Sequence, residues 1–119
     1  MTPTIEIAGL TIDCADSKAM GAFYQAAGGA EITHSDADSC WVTLGSLPII
    51  FREVADYQPP TWPTSDVPLQ MHFEFNVDDL AEAEKHLVEL GATLADYQPH
   101  ANGRVMFDPA GHPFCIGAR

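Results

Sequence analysis

The chain nearly repeats itself. Its segment Gly9 to Gly28, GLTIDCADSKAMGAFYQAAG, lies without a gap over His72 to Gly91, HFEFNVDDLAEAEKHLVELG, at an offset of 63 residues. The shift sets Leu10 on Phe73, Ile12 on Phe75, Asp16 on Asp79, Ala27 on Leu90 and Gly28 on Gly91, and further on it sets Phe51 on Phe114 and Arg52 on Cys115. A repeat of this length is a supersecondary unit that cannot bury its apolar face alone, so the two copies must share one core, and a binding site is expected where they meet. With 119 residues, 46% of them hydrophobic, there is apolar mass for a single domain and none for a second.

Each copy reads as one strand, one helix and three further strands. From Ile5 to Asp13 the residues alternate, with Ile7, Gly9, Thr11 and Asp13 on one face and Ala8, Leu10 and Ile12 on the other. Asp16 and Ser17 are cap candidates for a helix that carries Met20, Phe23 and Ala27 at helical spacing and stops at Gly28 and Gly29. Short strands are predicted at 30–34, 40–44 and 48–54. The second copy follows the same order. Gln70, His72, Glu74 and Asn76 alternate with Met71, Phe73, Phe75 and Val77. A helix then begins at Asp79, has Glu82 in capping-box position, presents Leu80, Ala83, Leu87 and Leu90, and ends at Gly91. Strands are predicted at 93–97, 104–107 and 113–117, joined by an Asn102-Gly103 turn and the turn sequence Asp108-Pro109-Ala110-Gly111. Module one thus spans about residues 5–54 and module two about 69–118 of one domain. Between them, the four prolines of ADYQPPTWPTSDVP deny the linker at 55–68 regular structure. Its aromatics Tyr57 and Trp62 either close over a cavity or staple the linker to a sheet.

Charge and cysteines exclude several functions. A net charge of −12 repels nucleic acid and anionic membrane surfaces, and would draw in a cation if it is more than a solvated surface. No run approaches the 18 or more apolar residues of a membrane helix. Three cysteines without close spacing and an N-terminus lacking signal-peptide character lead us to expect a cytoplasmic protein with reduced thiols. A glycine-rich phosphate loop, CxxC, HExxH and GxSxG are all absent. His100 and His112 lie in turn regions and are expected to be exposed.

In combination, DCADSKAMGAFYQAAGG, PPTWP, QMHFEFNVDDL and FDPAGHPFCI resemble the glyoxalase and bleomycin-resistance group, and within it the glyoxalase-like domain branch of the vicinal oxygen chelate superfamily. The resemblance runs from about Ile5 to Ile116. It implies an α+β fold in which two βαβββ modules form a half-open, eight-stranded mixed barrel-like sheet with helices outside and a ligand cavity inside. It also implies a homodimer, formed side by side or by exchange of modules. In metal-dependent members the first and last strand of each module each give one ligand, and those positions fall here on Gly9, Arg52, His72 and Cys115. Glycine has no donor and arginine stays cationic, so two of the four are lost. A His and a Cys would hold zinc only with a further donor, for which Glu74 and Asp13 are the nearest candidates. A divalent metal at His72 is therefore disfavoured and no cofactor is expected.

The remaining candidates have competing readings. His72 is a general base, a ligand contact or a relic bonded to Glu74. Arg52 either receives an anionic group or pairs with Glu74 or Asp13. Cys115 is a nucleophile activated by His72 or an inert thiol. Trp41 falls on Arg104 in the repeat, and both would offer a stacking platform if they face the cavity. The sequence thus favours a small-molecule-binding protein with a degenerate metal site. Its ligand is a small organic molecule, anionic or aromatic, held by Arg52, Gln70, His72, Glu74, Trp41, Trp62 and Arg104. The alternatives are a glyoxalase-related lyase or dioxygenase, using an unusual metal site or His72 and Cys115 for acid–base chemistry, and an interaction module with a vestigial cavity.

Overall fold

The computed structural model describes residues 3–119. Strands β1 (Leu10–Cys14), β2 (Glu31–Ser35), β3 (Ser39–Leu44) and β4 (Leu47–Glu53), with helix α1 (Ser17–Gly28) after the first, make module one. Module two repeats the order with β5 (Phe73–Val77), α2 (Leu80–Glu89), β6 (Thr93–Leu94), β7 (Gly103–Phe107) and β8 (Pro113–Ala118). The α+β class and the two βαβββ modules are as the sequence led us to expect. The eight strands lie in two sheets of matching topology, β1-β4-β3-β2 and β5-β8-β7-β6, and not in one hydrogen-bonded sheet. In each, the first strand runs parallel to the last and the other pairings are antiparallel. No helix among the described residues is long and apolar enough to cross a membrane.

Both first strands begin later than their alternation predicts. The parallel ladders open at Leu10 with Ile49 and at Phe73 with Phe114. One rung earlier Gly9 stands opposite Pro48 and His72 opposite Pro113, and a proline cannot donate to a ladder. Ile5 and Ile7 are left 95% and 82% exposed. Helix starts match their signals, with the Asp16 carboxylate accepting from the Ala19 N–H and the Asp79 carboxylate from the Glu82 N–H. Glu53 on β4 accepts from both the N–H and the hydroxyl of Ser17, which fastens the start of α1 to its own sheet.

The ungapped repeat holds only through the helices. Thr11 pairs with Ile50 and Ile50 with Trp41, whereas Glu74 pairs with Cys115 and Cys115 with Val105. From β1 to β5 the offset is 63 (11 to 74), from β3 to β7 it is 64 (41 to 105), and from β4 to β8 it is 65 (50 to 115). One residue has been added before β7 and another in the hairpin after it. Two consequences correct the sequence reading. Cys115 is the counterpart of Ile50, and Arg52 that of Gly117. Arg104 matches Cys40, not Trp41, and since an odd shift turns every side chain to the other face, it points towards α2. There its Nε donates to Glu84 at 3.0 Å. The Trp41–Arg104 platform does not form.

The core lies where the helix-side faces of the two sheets meet around α1. Tyr24 stacks on Phe51 of the first sheet at 5.6 Å and meets Phe73 of the second edge-on at 5.5 Å, while Phe23 approaches Phe114 at 6.2 Å. The Tyr24 hydroxyl donates to the Asp108 carboxylate at 2.8 Å, and the other oxygen of that carboxylate accepts from the N–H groups of Ala110 and His112. A second tie runs through the linker. Tyr57 donates to the Ala110 carbonyl at 2.9 Å, and His112 Nε2 lies 2.8 Å from the Asp13 carbonyl and 3.1 Å from the Tyr57 hydroxyl. His112 is accordingly half-buried and structural, against the expectation of an exposed turn residue.

At Gly21 the helix approaches β3 so closely that a Cβ would sit 2.4 Å from Cys40 Sγ. Gly21→Ala gains about 0.5 to 1 kcal/mol of helix propensity but overpacks the contact at about 1 to 3 kcal/mol, so the overpacking wins. Urea unfolding is expected to show net destabilisation, relieved when Cys40→Ala is added. An equally stable single variant would show that the contact yields freely.

Burial pushes the Asp108 carboxyl up, and this outweighs the lowering by Tyr24, by the charge of His112 and by the two N–H groups. A carboxyl raised in the folded state favours its neutral form there. Its contribution is full below the unfolded value, about 3.9, and is lost as pH rises through the raised value. The stability of Asp108→Asn relative to the parent is therefore expected to increase with pH from about 4 upwards. Parallel pH curves in denaturant titrations would contradict this.

Candidate functional site

Because the helix-side faces are used in the core, the opposite face of each sheet carries the polar residues. On the first sheet this face bears Thr11, Asp13, Trp41, Ile50 and Arg52. Arg52 donates to Asp13 at 3.2 Å, which is one of the pairings the sequence left open, and both side chains are about half exposed. Trp41 is 43% exposed, donates to the Ser39 hydroxyl and meets His34 edge-on. These groups form an open platform.

On the second sheet the corresponding face is the floor of a hollow of about 550 Å³, whose lining includes Trp62, His72, Glu74, Gln98 and Cys115. Glu74 and Cys115 sit opposite each other in the β5–β8 ladder, and His72 precedes Glu74 by two residues, hence on the same face. His72 Nε2 is 3.5 Å from Glu74 Oε1, and one donor atom from each of His72, Glu74 and Cys115 lies within 4.8 Å of the others. Burial pushes the Cys115 thiol up, and the charge of Glu74 adds to it, so the sulfur is held as a thiol at neutral pH. Trp62 packs on Tyr97 with ring centroids 5.6 Å apart, which makes an aromatic wall beside this polar floor. Of the two linker aromatics, Trp62 borders the hollow and Tyr57 staples the linker to the β7–β8 turn.

Gln98 escaped the sequence reading. β6 ends after Leu94, and the Gln98 side-chain amide takes over the exposed backbone of β7, accepting from the Val105 N–H at 2.9 Å and donating to its carbonyl at 2.8 Å. No sequence signal distinguishes a glutamine used in this way from a solvated one. Gln70 lies in the bend before β5, is exposed, and is not among the residues lining the hollow. Within one chain, His72, Glu74, Cys115, Trp62 and Arg104 all border the hollow, Arg104 with its guanidinium bonded to Glu84, while Arg52 and Trp41 belong to the other sheet. A second cavity, of about 500 Å³, lies between the modules and has an apolar lining that includes Phe23, Leu44, Leu47, Phe75, Leu87 and Ile116.

All three cysteines are free. Cys14 and Cys40 are buried against α1, and burial followed by the charge of Glu53 pushes the Cys14 thiol up to about 11. Neither reaches the hollow.

The architecture matches solved structures closely despite low identity. The fosfomycin resistance protein FosX of Listeria monocytogenes superposes with a TM-score of 0.73 at 19% identity, over 98% of this chain and 95% of that one. FosX of Mesorhizobium loti gives 0.71 at 12% identity, over 98% and 94%. A variant of the Listeria protein complexed with manganese(II) and 1S,2S-dihydroxypropylphosphonic acid gives 0.73 at 18% identity, over 97% and 90%. At these identities the likeness establishes the fold, which is that of the vicinal oxygen chelate superfamily. No curated protein sequence matches the chain. The model of the glyoxalase-like domain matches residues 9–117, from the glycine opposite Pro48 into the last strand, and the chain therefore belongs to the glyoxalase-like domain family.

Proposed function

We propose that this protein binds a small organic molecule in the hollow over its second sheet. One observation carries the reading: His72, Glu74 and Cys115 converge on the floor of a space of about 550 Å³ that has Trp62 as a wall. Ligand sites combine an apolar or aromatic surface with a few convergent polar groups, and this volume is within their usual range. Glu74 brings negative charge to the floor, and Arg52, the guanidinium proposed for an anion, is already engaged by Asp13. A flat, aromatic ligand with a hydrogen-bond donor therefore fits better than a simple anion. The phosphonate bound by the manganese-containing FosX variant is of the anionic kind.

The assembly we propose is a homodimer in which the Trp41 and Arg52 platform of one copy covers the hollow of the other. Its support is that both polar faces are open in the single chain, that β1 and β5 are sheet edges, and that Ile5, Ile7 and Met71 beside those edges are exposed. Light scattering is expected to report two copies, and Ile7→Asp to shift the mass towards one. A monomeric parent protein would remove the dimer while leaving the hollow.

A second reading, an enzyme related to the glyoxalases, is favoured by the same three donors. It requires turnover, which binding does not. Thermal shift with small aromatic amines and phenols, alongside fosfomycin, tests the binding reading. A ligand at a hundred times its Kd adds about 2.7 kcal/mol, or roughly 10 °C in a chain of this size. The expected result is a saturable rise with aromatic amines that is at least tenfold weaker in Trp62→Ala and in Glu74→Gln. A rise that survives both substitutions, or none with any probe, would remove the hollow as the site.

A further inference from the structure

We propose that the apolar cavity between α1 and α2 is a second binding site, and that its ligand is an amphipathic cation, a hydrophobic amine with a body of about ten carbons. The cavity lies on the helix side of the second sheet, across β5 from the hollow, and does not depend on the reading given for that hollow.

The space follows from how the helices divide the sheets. Helix α1 packs on β2, β3 and β4, and α2 packs on β6, β7 and β8. Strand β5 runs in the gap between them, and its helix-side residues Phe73, Phe75 and Val77 stay half-buried. The gap has a volume of about 500 Å³. Phe23 and Ala27 of α1 border it on one side and Ala83 and Leu87 of α2 on the other, with Leu44 and Leu47 of the β3–β4 hairpin. Each helix thus offers an alanine where a larger apolar residue would fill the space. Gly28 and Gly45 border it without a side chain, and a Cβ at Gly45 would meet nothing within 4 Å, so the opening is unobstructed there. A dimer through the polar faces of the sheets leaves this helix-side opening free.

Size and lining set the body of the ligand. An apolar cavity of about 150 Å³ takes a benzene-sized molecule, so a body about three times larger suits the space here. Polar side chains on the lining are few. Tyr24 has its hydroxyl committed to Asp108, and Asn76 shares the hollow face with Glu74, which leaves His86 to meet a head group.

Charge sets the sign of that head. No lysine or arginine is on the lining. Helix α1 reaches the cavity with Ala27 and Gly28 at its end, and its last turn has no basic side chain, so the negative end of its dipole is uncompensated there. The imidazole of His86, in its neutral form, accepts a hydrogen bond from an ammonium group. A net charge of −12 attracts a cation over a longer range and repels a carboxylate.

Three compounds that share one chain and differ in the head test the assignment: decylamine, 1-decanol and decanoate. Each is titrated calorimetrically into the intact protein at neutral pH and low salt, below the concentration at which it aggregates. Decylamine is expected to bind one to one, about tenfold more tightly than decanol, with decanoate weakest. Added salt should narrow the gap. Ala83→Leu and Ala27→Leu extend side chains into the space, and each is expected to weaken decylamine about tenfold. His86→Lys should weaken decylamine by a similar factor and leave decanol as in the parent. Circular dichroism checks that each variant folds. The proposal is overturned by the absence of saturable decylamine binding, by decanoate binding as tightly as decylamine, or by both leucine variants binding like the parent. Loss of decylamine in Trp62→Ala, with retention in Ala83→Leu, would move the amine to the hollow and overturn it as well. Decylamine binding that persists when no aromatic probe shifts the melting temperature would retain this cavity and remove the reading of the hollow.

Discussion

Tyr24 occupies the junction on which the arrangement of the two modules depends. Its ring is held between Phe51 of one sheet and Phe73 of the other, and its hydroxyl reaches Asp108 in the hairpin that precedes the last strand. Burying a carboxylate without partners would cost several kcal/mol, and here three donors meet it: one from the other module and two from its own turn. No buried side-chain nitrogen or oxygen among the described residues is left without a partner. Because the apolar faces of both sheets are consumed at this junction, each sheet must turn its polar face outward. The hollow over the second sheet is thus a consequence of where the core is.

That core was legible because it follows periodicity. Alternation marked Ile12, Phe73 and Phe75, helical spacing marked Met20, Phe23 and Leu87, and all six pack together. Cap residues placed the second helix start at Asp79 and the first at one of the pair Asp16 and Ser17. What periodicity could not give was the relation between strands. An ungapped offset of 63 is correct from Gly9 to Gly91, and two single-residue additions beyond that point shift the last strands. The first addition changes parity and sends Arg104 to the helix side; the second restores parity, so Cys115 still faces the hollow although its partner in the repeat had been misassigned. Insertions in turns leave no mark on hydrophobic pattern. Asp108 was likewise read as a turn former, since a buried role depends on a tyrosine far away in sequence.

The candidate site was legible in three of its members and not in its assembly. His72, Glu74 and Cys115 were singled out from the sequence, but the need for a third donor could not be answered there. Glu74 and Asp13 were equivalent candidates on paper. The fold separates them, because Asp13 has Arg52 as its neighbour across β1 and β4, whereas Glu74 has Cys115. One rung of sheet pairing decides whether a carboxylate meets a cation or a sulfur.

That rung also sets the chemistry the pair can perform. The charge of Glu74 adds to burial in holding Cys115 as a thiol, which weakens it as a nucleophile. The arrangement is thus poorly suited to covalent catalysis by the cysteine. Of the packed pair Trp62 and Tyr97, Trp62 borders the hollow and puts ring surface beside these polar groups.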